Sequence, residues 1–236
     1  MSFTKEMRQS ANSIWLKEQS HPFVLELGTG ELKLEIFQHY MKQDYQFLIE
    51  FSKVIGIAVA KCDRLTDMEW FAKLLNDTLN VEMSLHVSFC KDFGITLSEL
   101  IETKMSPAVR AYTSHMLEIA YSSSAVHIAT AILPCSWGYS ELGQKLYQEG
   151  TPKTAPLYCR WIEMYNSEEF AELAQWLRDF IDRETSDMNE KSLNDLRDIF
   201  IKSSQHEYSF WDSAYRMEQC PPLIQFSECC KVPGNR

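Results

Sequence analysis

Apolar side chains at Leu34, Phe37, Tyr40, Met41, Tyr45, Leu48, Phe51, Val54 and Ile55 keep a three-or-four-residue step from Leu32 to Ala60. That is about eight turns of one helix at 3.6 residues per turn. A helix so long, with a continuous apolar stripe, gains little stability alone and must bury the stripe against other helices. The remaining sequence supplies them. Phe3, Met7, Ala11, Ile14 and Trp15 predict one amphipathic helix over 3–18 that ends at the His21-Pro22 step. A third helix is expected to start at a Thr66-Asp67 cap, run through Trp70, Leu74, Leu75 and Phe89, and stop at Gly94.

The short stretch ITLSELIETK ends at Ser106-Pro107, after which Val109, Tyr112, Met116, Ile119 and Ala120 form a further helical face. Segments 124–147, 156–165, 167–183 and 190–217 complete the set, with Asn189 and Ser192 as cap candidates for the last. No strand-length alternation or internal repeat interrupts this pattern, and 8 Gly and 8 Pro are few for a loop-rich β fold. The expectation is an all-α fold, a single helical-bundle domain of eight or nine helices over residues 1–219. A C-terminal tail, 220–236, follows, in which Pro221-Pro222 stops any helix and Cys229 and Cys230 stand adjacent.

The net charge of −10, with no cluster of Lys and Arg, argues against nucleic acid or an anionic membrane as partner. The N-terminus lacks the basic and apolar regions of a secretory signal, and no uninterrupted apolar run approaches membrane-spanning length. A cytoplasmic protein is expected. The 7 cysteines are odd in number and have no C-x-x-C spacing, so they read as reduced thiols and not as a disulfide framework or zinc knuckle.

Three polar side chains stand on apolar helix faces far apart in sequence. In AILPCSWGYSELG, Pro134 removes an amide donor and is expected to kink the helix beside Cys135, with Tyr139 one turn further on the same face. Cys135 reads either as a structural thiol in a bent core helix or as a nucleophile aimed into a cavity. Asp44 lies among Tyr40, Met41, Phe47 and Leu48, where a carboxylate needs a partner unless it sits on a solvated edge. Glu207 falls in line with Phe200, Ser203, Phe210 and Trp211 unless it is an exposed charge. If the helices form one bundle, the three converge, which is how all-α proteins build interior sites.

Two other constellations compete. Glu82 and His86, with His206 and Glu207, suggest a dinuclear metal site, but the ligand count falls short of the paired Glu-x-x-His pattern such sites use. A Cys-His hydrolase would need a base beside Cys135, and among His86, His115, His127 and His206 the spacing singles out none. His127, eight residues before Cys135 on one helix, would stand more than about 10 Å away.

Several runs in order along the chain resemble the TenA family, the thiaminase II or aminopyrimidine aminohydrolases. They are HPFV at 21–24, QD at 43–44, EMSLH at 82–86, YTSHM at 112–116, LPCSWGYSELG at 133–143, WIEMY at 161–165 and SSQHEYSFW at 203–211. The cysteine in the LPC-x-W-x-Y block indicates the cysteine-containing branch. The resemblance implies a haem-oxygenase-like helical fold, commonly a homotetramer, that needs no metal or organic cofactor. It implies hydrolysis at the methylene attached to C5 of a 4-amino-2-methylpyrimidine, with the aminomethyl compound or thiamin as substrate. By position, Cys135 matches the family nucleophile, Glu207 the acid/base glutamate, and Asp44 the carboxylate on the aminopyrimidine edge. Tyr112, Tyr139 and Tyr165 match pocket tyrosines. Phe47 stands where many members have tyrosine, which keeps the stacking face and removes a hydroxyl.

A glutamate beside the thiol implies proton transfer coupled to substrate binding and not a standing thiolate. A non-catalytic aminopyrimidine-binding protein and a metal-dependent oxidase on the same fold are the alternatives.

Overall fold

The computed structural model describes residues 2–220, apart from the side chains of Val81 and Leu85. The segment with Pro222, Cys229 and Cys230 lies outside the described residues. Helices α1 (Phe3–Ser10), α2 (Asn12–Gln19) and α3 (Pro22–Thr29) precede the long α4 (Leu34–Lys61). Then come α5 (Leu65–Asp77), a π-helical turn (Thr78–Glu82), α6 (Met83–Asp92) and α7 (Leu97–Glu102). The chain continues through α8 (Pro107–Ser122), α9 (Ala125–Glu149), α10 (Pro156–Tyr165), α11 (Glu168–Glu184) and α12 (Glu190–Tyr215). Among the described residues there is no strand, and no helix is long and apolar enough to cross a membrane.

Local chemistry explains most boundaries. Ser106 caps α8 by accepting from the Val109 amide, with Pro107 at the first helical position, where its missing N–H costs nothing. Thr96 and Glu99 form a reciprocal capping box on α7, and Asn189 caps α12.

Three boundaries differ from expectation. The helix over 3–18 breaks at Ala11, where the Ser10 hydroxyl donates to the Met7 carbonyl and competes with the backbone ladder. The His21-Pro22 step does not merely end a helix. It begins α3, with His21 accepting from the Phe23 amide and Pro22 leading the first turn. The third segment starts after Arg64, so Thr66-Asp67 is no cap; Asp67 is buried in the first turn and receives Arg183 at 2.8 Å. That segment also divides at the π-helical turn, giving twelve α-helices among the described residues where eight or nine were expected.

The core is built by α4, α9 and α12. Helix α9 packs on α8, α10, α11 and α12, while α4 packs on α5, α8 and α12. It runs unbroken through Pro134. The N-terminal helices close one side: Thr4 binds Asp182 through its amide and hydroxyl at 2.8 and 2.9 Å, and the Trp15 indole donates to Ser204 at 2.9 Å.

Candidate active site

The bundle brings the seven predicted site residues into one interior. Asp44 and Phe47 come from the middle of α4, Tyr112 from α8, Cys135 and Tyr139 from α9, Tyr165 from the end of α10, and Glu207 from α12. Cys135 is distinctive within its helix, for every other position from 128 to 140 is buried while Cys135 keeps accessible surface.

Glu207 is the hub. Tyr112 donates to it at 2.6 Å, and the Cys135 thiol stands near enough to act on its carboxyl. Burial pushes the Glu207 carboxyl up to about 7, against the lowering effect of those two groups. Burial likewise pushes the Cys135 thiol well above its ordinary range, followed by the charges of Glu207, Asp44 and Glu82. Both shifts favour a protonated thiol beside a carboxyl whose charge changes near neutrality. Of the four histidines weighed as bases for Cys135, three are hydrogen-bonded to other groups, and His206 has a buried Nε2 with no hydrogen-bond partner. His115 pairs with Ser203 at 3.1 Å, His127 with Ser124 at 2.8 Å and His86 with the Met41 carbonyl at 2.6 Å, while the His206 ring stacks on Tyr112 at 5.3 Å.

Asp44 is buried, and its carboxyl is raised first by that burial and then by Glu82 and Glu207. His86 faces it at 3.5 Å through Nδ1. Burial depresses His86 to about 4, so the ring is neutral, and the short contact to the Met41 carbonyl places its one proton on Nε2. Aromatic faces surround the carboxyls: Phe47 lies 5.2 Å from Tyr112, and Tyr139 lies 4.7 Å from Tyr165 and 5.1 Å from Trp211.

Gly143, within the SELG run, sets the position of Tyr165. A Cβ there would stand 2.4 Å from the Tyr165 carbonyl carbon, so only glycine lets α9 approach the end of α10 so closely. Tyr40, counted in the sequence only as a core position, is a second hub. Its hydroxyl lies 3.4 Å from that of Tyr139 and accepts from the Trp161 indole at 3.4 Å. Its position one turn before Asp44 was the available signal.

A cavity of ≈ 20 Å³ adjoins Asp44 and is lined also by Glu82, His86, Phe89, Trp161 and Tyr165, with Met41 and Met164. Glu82 keeps partial exposure, yet burial by the surrounding protein pushes its carboxyl up to about 7. Among the described residues, no three His, Cys, Asp or Glu side chains form a group able to hold a metal ion.

The model of the TENA/THI-4/PQQC family matches residues 8–217, nearly the whole chain. The protein belongs to this family. The TenA-type chain is 41% identical over 217 residues to an aminopyrimidine aminohydrolase of Halalkalibacterium halodurans, covering 91% of this chain and 96% of that one. It is 36% identical to an aminopyrimidine aminohydrolase of Helicobacter pylori, covering 92% of this chain and 100% of that one. Its fold superposes on a TenA homologue from P. horikoshii OT3 with a TM-score of 0.85 at 30% identity, over 92% of this chain and 100% of that chain. A domain with a heme oxygenase-like fold from Shewanella denitrificans shares the fold alone, with a TM-score of 0.72 at 13% identity over 90% of this chain and 92% of that one.

Proposed function

We propose that this protein is an aminopyrimidine aminohydrolase that converts 4-amino-5-aminomethyl-2-methylpyrimidine and water to the 5-hydroxymethyl compound and ammonia. The observation that carries the reading is the buried Glu207, bonded by Tyr112 at 2.6 Å and neighboured by Cys135 in the interior that also holds Asp44. Two relatives that share more than a third of its residues bear the name of this activity.

The ring lies between the faces of Phe47 and the tyrosines, with its amino edge at Asp44 and a ring nitrogen at Glu207. Glu207 passes the thiol proton of Cys135 to that nitrogen, which makes the ring an electrophile as it makes the thiolate a nucleophile. Sulfur adds to the adjacent ring carbon. The 4-amino group then pushes its electron pair through the ring, the C–N bond of the side chain breaks, and ammonia leaves from the methylene. Positive charge grows on the 4-amino nitrogen during this step, and the Asp44 carboxyl stands against it. Water adds to the exocyclic methylene and gives its surplus proton to the released ammonia, the C–S bond breaks as the ring regains aromaticity, and Glu207 carries the proton from the ring nitrogen back to sulfur.

Thiamin shares the pyrimidine half and reacts by the same steps with its thiazole as leaving group. The family resemblance adds a cytoplasmic homotetramer to this reading, which light scattering of the purified protein checks.

Cys135→Ser is expected to lower turnover by at least about a hundredfold while binding of the hydroxymethyl product persists. Full activity in that variant would sink the mechanism.

A further inference from the structure

The mechanism uses Asp44 and leaves Glu82 idle, although both line one cavity. Glu82 ends the π-helical turn, and π-turns inside helices frequently mark functional positions. His86, one turn on, faces the same cavity.

The cavity holds acids and no fixed cation to meet them. Two carboxyls line it, and neither Lys nor Arg does. Of the two other titratable groups, the Tyr165 phenol is pushed up by burial and carries no charge, while His86 has its proton on Nε2 directed at the Met41 carbonyl and turns its other nitrogen toward Asp44. The Glu82 carboxyl has no hydrogen-bonding or ionic partner among the described residues. A carboxylate so placed is costly unless a cation arrives to meet it.

The proposed substrate brings one. This inference rests on the aminohydrolase reading and deepens it. On the pyrimidine, the carbon that bears the aminomethyl group is bonded directly to the carbon that bears the 4-amino group. With the 4-amino edge at Asp44, the neighbouring substituent therefore falls within a few ångströms, in reach of the cavity that Asp44 shares with Glu82. At neutral pH the substituent is a primary ammonium, about the size of a water molecule, and the cavity of ≈ 20 Å³ suits a group of that size. Trp161, Phe89 and Tyr165 add aromatic faces, which favour a cation over a neutral group.

We propose that the cavity between the π-helical turn and α10 is the leaving-group subsite, in which Glu82 pairs with the ammonium of the substrate and so selects cationic side chains at the scissile carbon. The thiazolium ring of thiamin carries the same charge but needs far more room. The subsite thus favours the small amine.

The test compares two ligands that share the ring and differ in charge at this one substituent. The wild type, Glu82→Gln and Glu82→Asp are measured for KM and kcat on 4-amino-5-aminomethyl-2-methylpyrimidine and for Kd of the neutral 5-hydroxymethyl product, with thermal melting to verify folding. Glu82→Gln is expected to raise KM for the amine about tenfold or more, while Kd for the alcohol stays within about twofold. Glu82→Asp is expected to recover part of the loss. Equal weakening of both ligands, or no effect on either, would overturn the assignment, because Glu82 would then shape the pocket or stand outside it. Failure of the aminohydrolase reading shows separately, as a wild-type protein that does not turn over the amine at all.

Discussion

At the scale of single residues, Glu207 places a functional group where it weakens the fold. Its carboxyl is lifted by burial from the ordinary 4.5 to about 7, a difference that corresponds to roughly 3 kcal/mol. A raised carboxyl binds its proton more tightly in the folded chain than in the unfolded one. Its stabilising contribution is therefore full below about 4.5 and is lost as pH rises through about 7. Glutamine keeps the acceptor for Tyr112 and has no charge to bury. Glu207→Gln is expected to melt higher than the wild type at pH 8, by several degrees at about 2–4 °C per kcal/mol, and the gain is expected to vanish at pH 4. Melting curves across that range check it, and a pH-independent difference or a less stable variant at pH 8 would refute the account. The same substitution removes the proposed proton carrier, so activity is expected to fall where stability rises. Asp44 and Glu207 stood out in the sequence as carboxyls on apolar helical faces, whereas spacing left Cys135 open between a structural thiol and a nucleophile and the family resemblance supplied its proposed role. Tyr40 did not stand out, because an aromatic residue at a core position breaks no pattern, and only the structure shows its hydroxyl beside that of Tyr139.

At the scale of elements, boundaries were legible where a residue carries its own instruction. Pro107 and Pro156 each lead a helix, and Asn189 accepts from the Ser192 amide at 3.0 Å. The breaks at Ala11 and in the π-helical turn were not, because apolar spacing persists across both while the axis or the phase changes. The i,i+4 spacing of Glu82 and His86 was visible, but the phase set by the turn, which aims the pair at Asp44, was not. Close approach between elements is equally invisible in a pattern, and Gly143 is the case with consequences. Gly143→Ala would press a methyl against the backbone of Tyr165 and Asn166, with contacts of 2.4 and 2.7 Å to be relieved. The expected cost is about 1–3 kcal/mol of stability, together with a loss of kcat/KM as Tyr165 moves. Gly138→Ala is the control, since nothing lies within 4 Å of a Cβ there, and the stronger helix propensity of alanine is expected to leave stability equal or higher by up to about 1 kcal/mol. Equal melting temperatures for the two variants would remove Gly143 from its role.

At the scale of the molecule, no loop supplies a proposed reacting group. Cys135, Asp44 and Glu207 stand near the middles of the three longest helices, while Tyr112 and Tyr165 come from two more. The fold class followed from helical periodicity along the whole chain, but the convergence of those midpoints depends on how the helices cross, which amphipathic spacing does not encode. A site assembled this way exists only while the bundle is intact, so ligand binding and global unfolding are linked. Hydroxymethylpyrimidine product at a hundred times its Kd is expected to add about 2.7 kcal/mol to the folded state, raising Tm by about 5–10 °C for a chain of this size. Because the contributing helices belong to different parts of the sequence, the transition is expected to shift as one, by circular dichroism and by tryptophan fluorescence alike. Trp15, Trp161 and Trp211 report from separate elements of the core. A ligand that moved one probe and left the other in place would show that the pocket survives partial unfolding. It would place the binding energy in a local cluster and not in the packing of α4, α9 and α12.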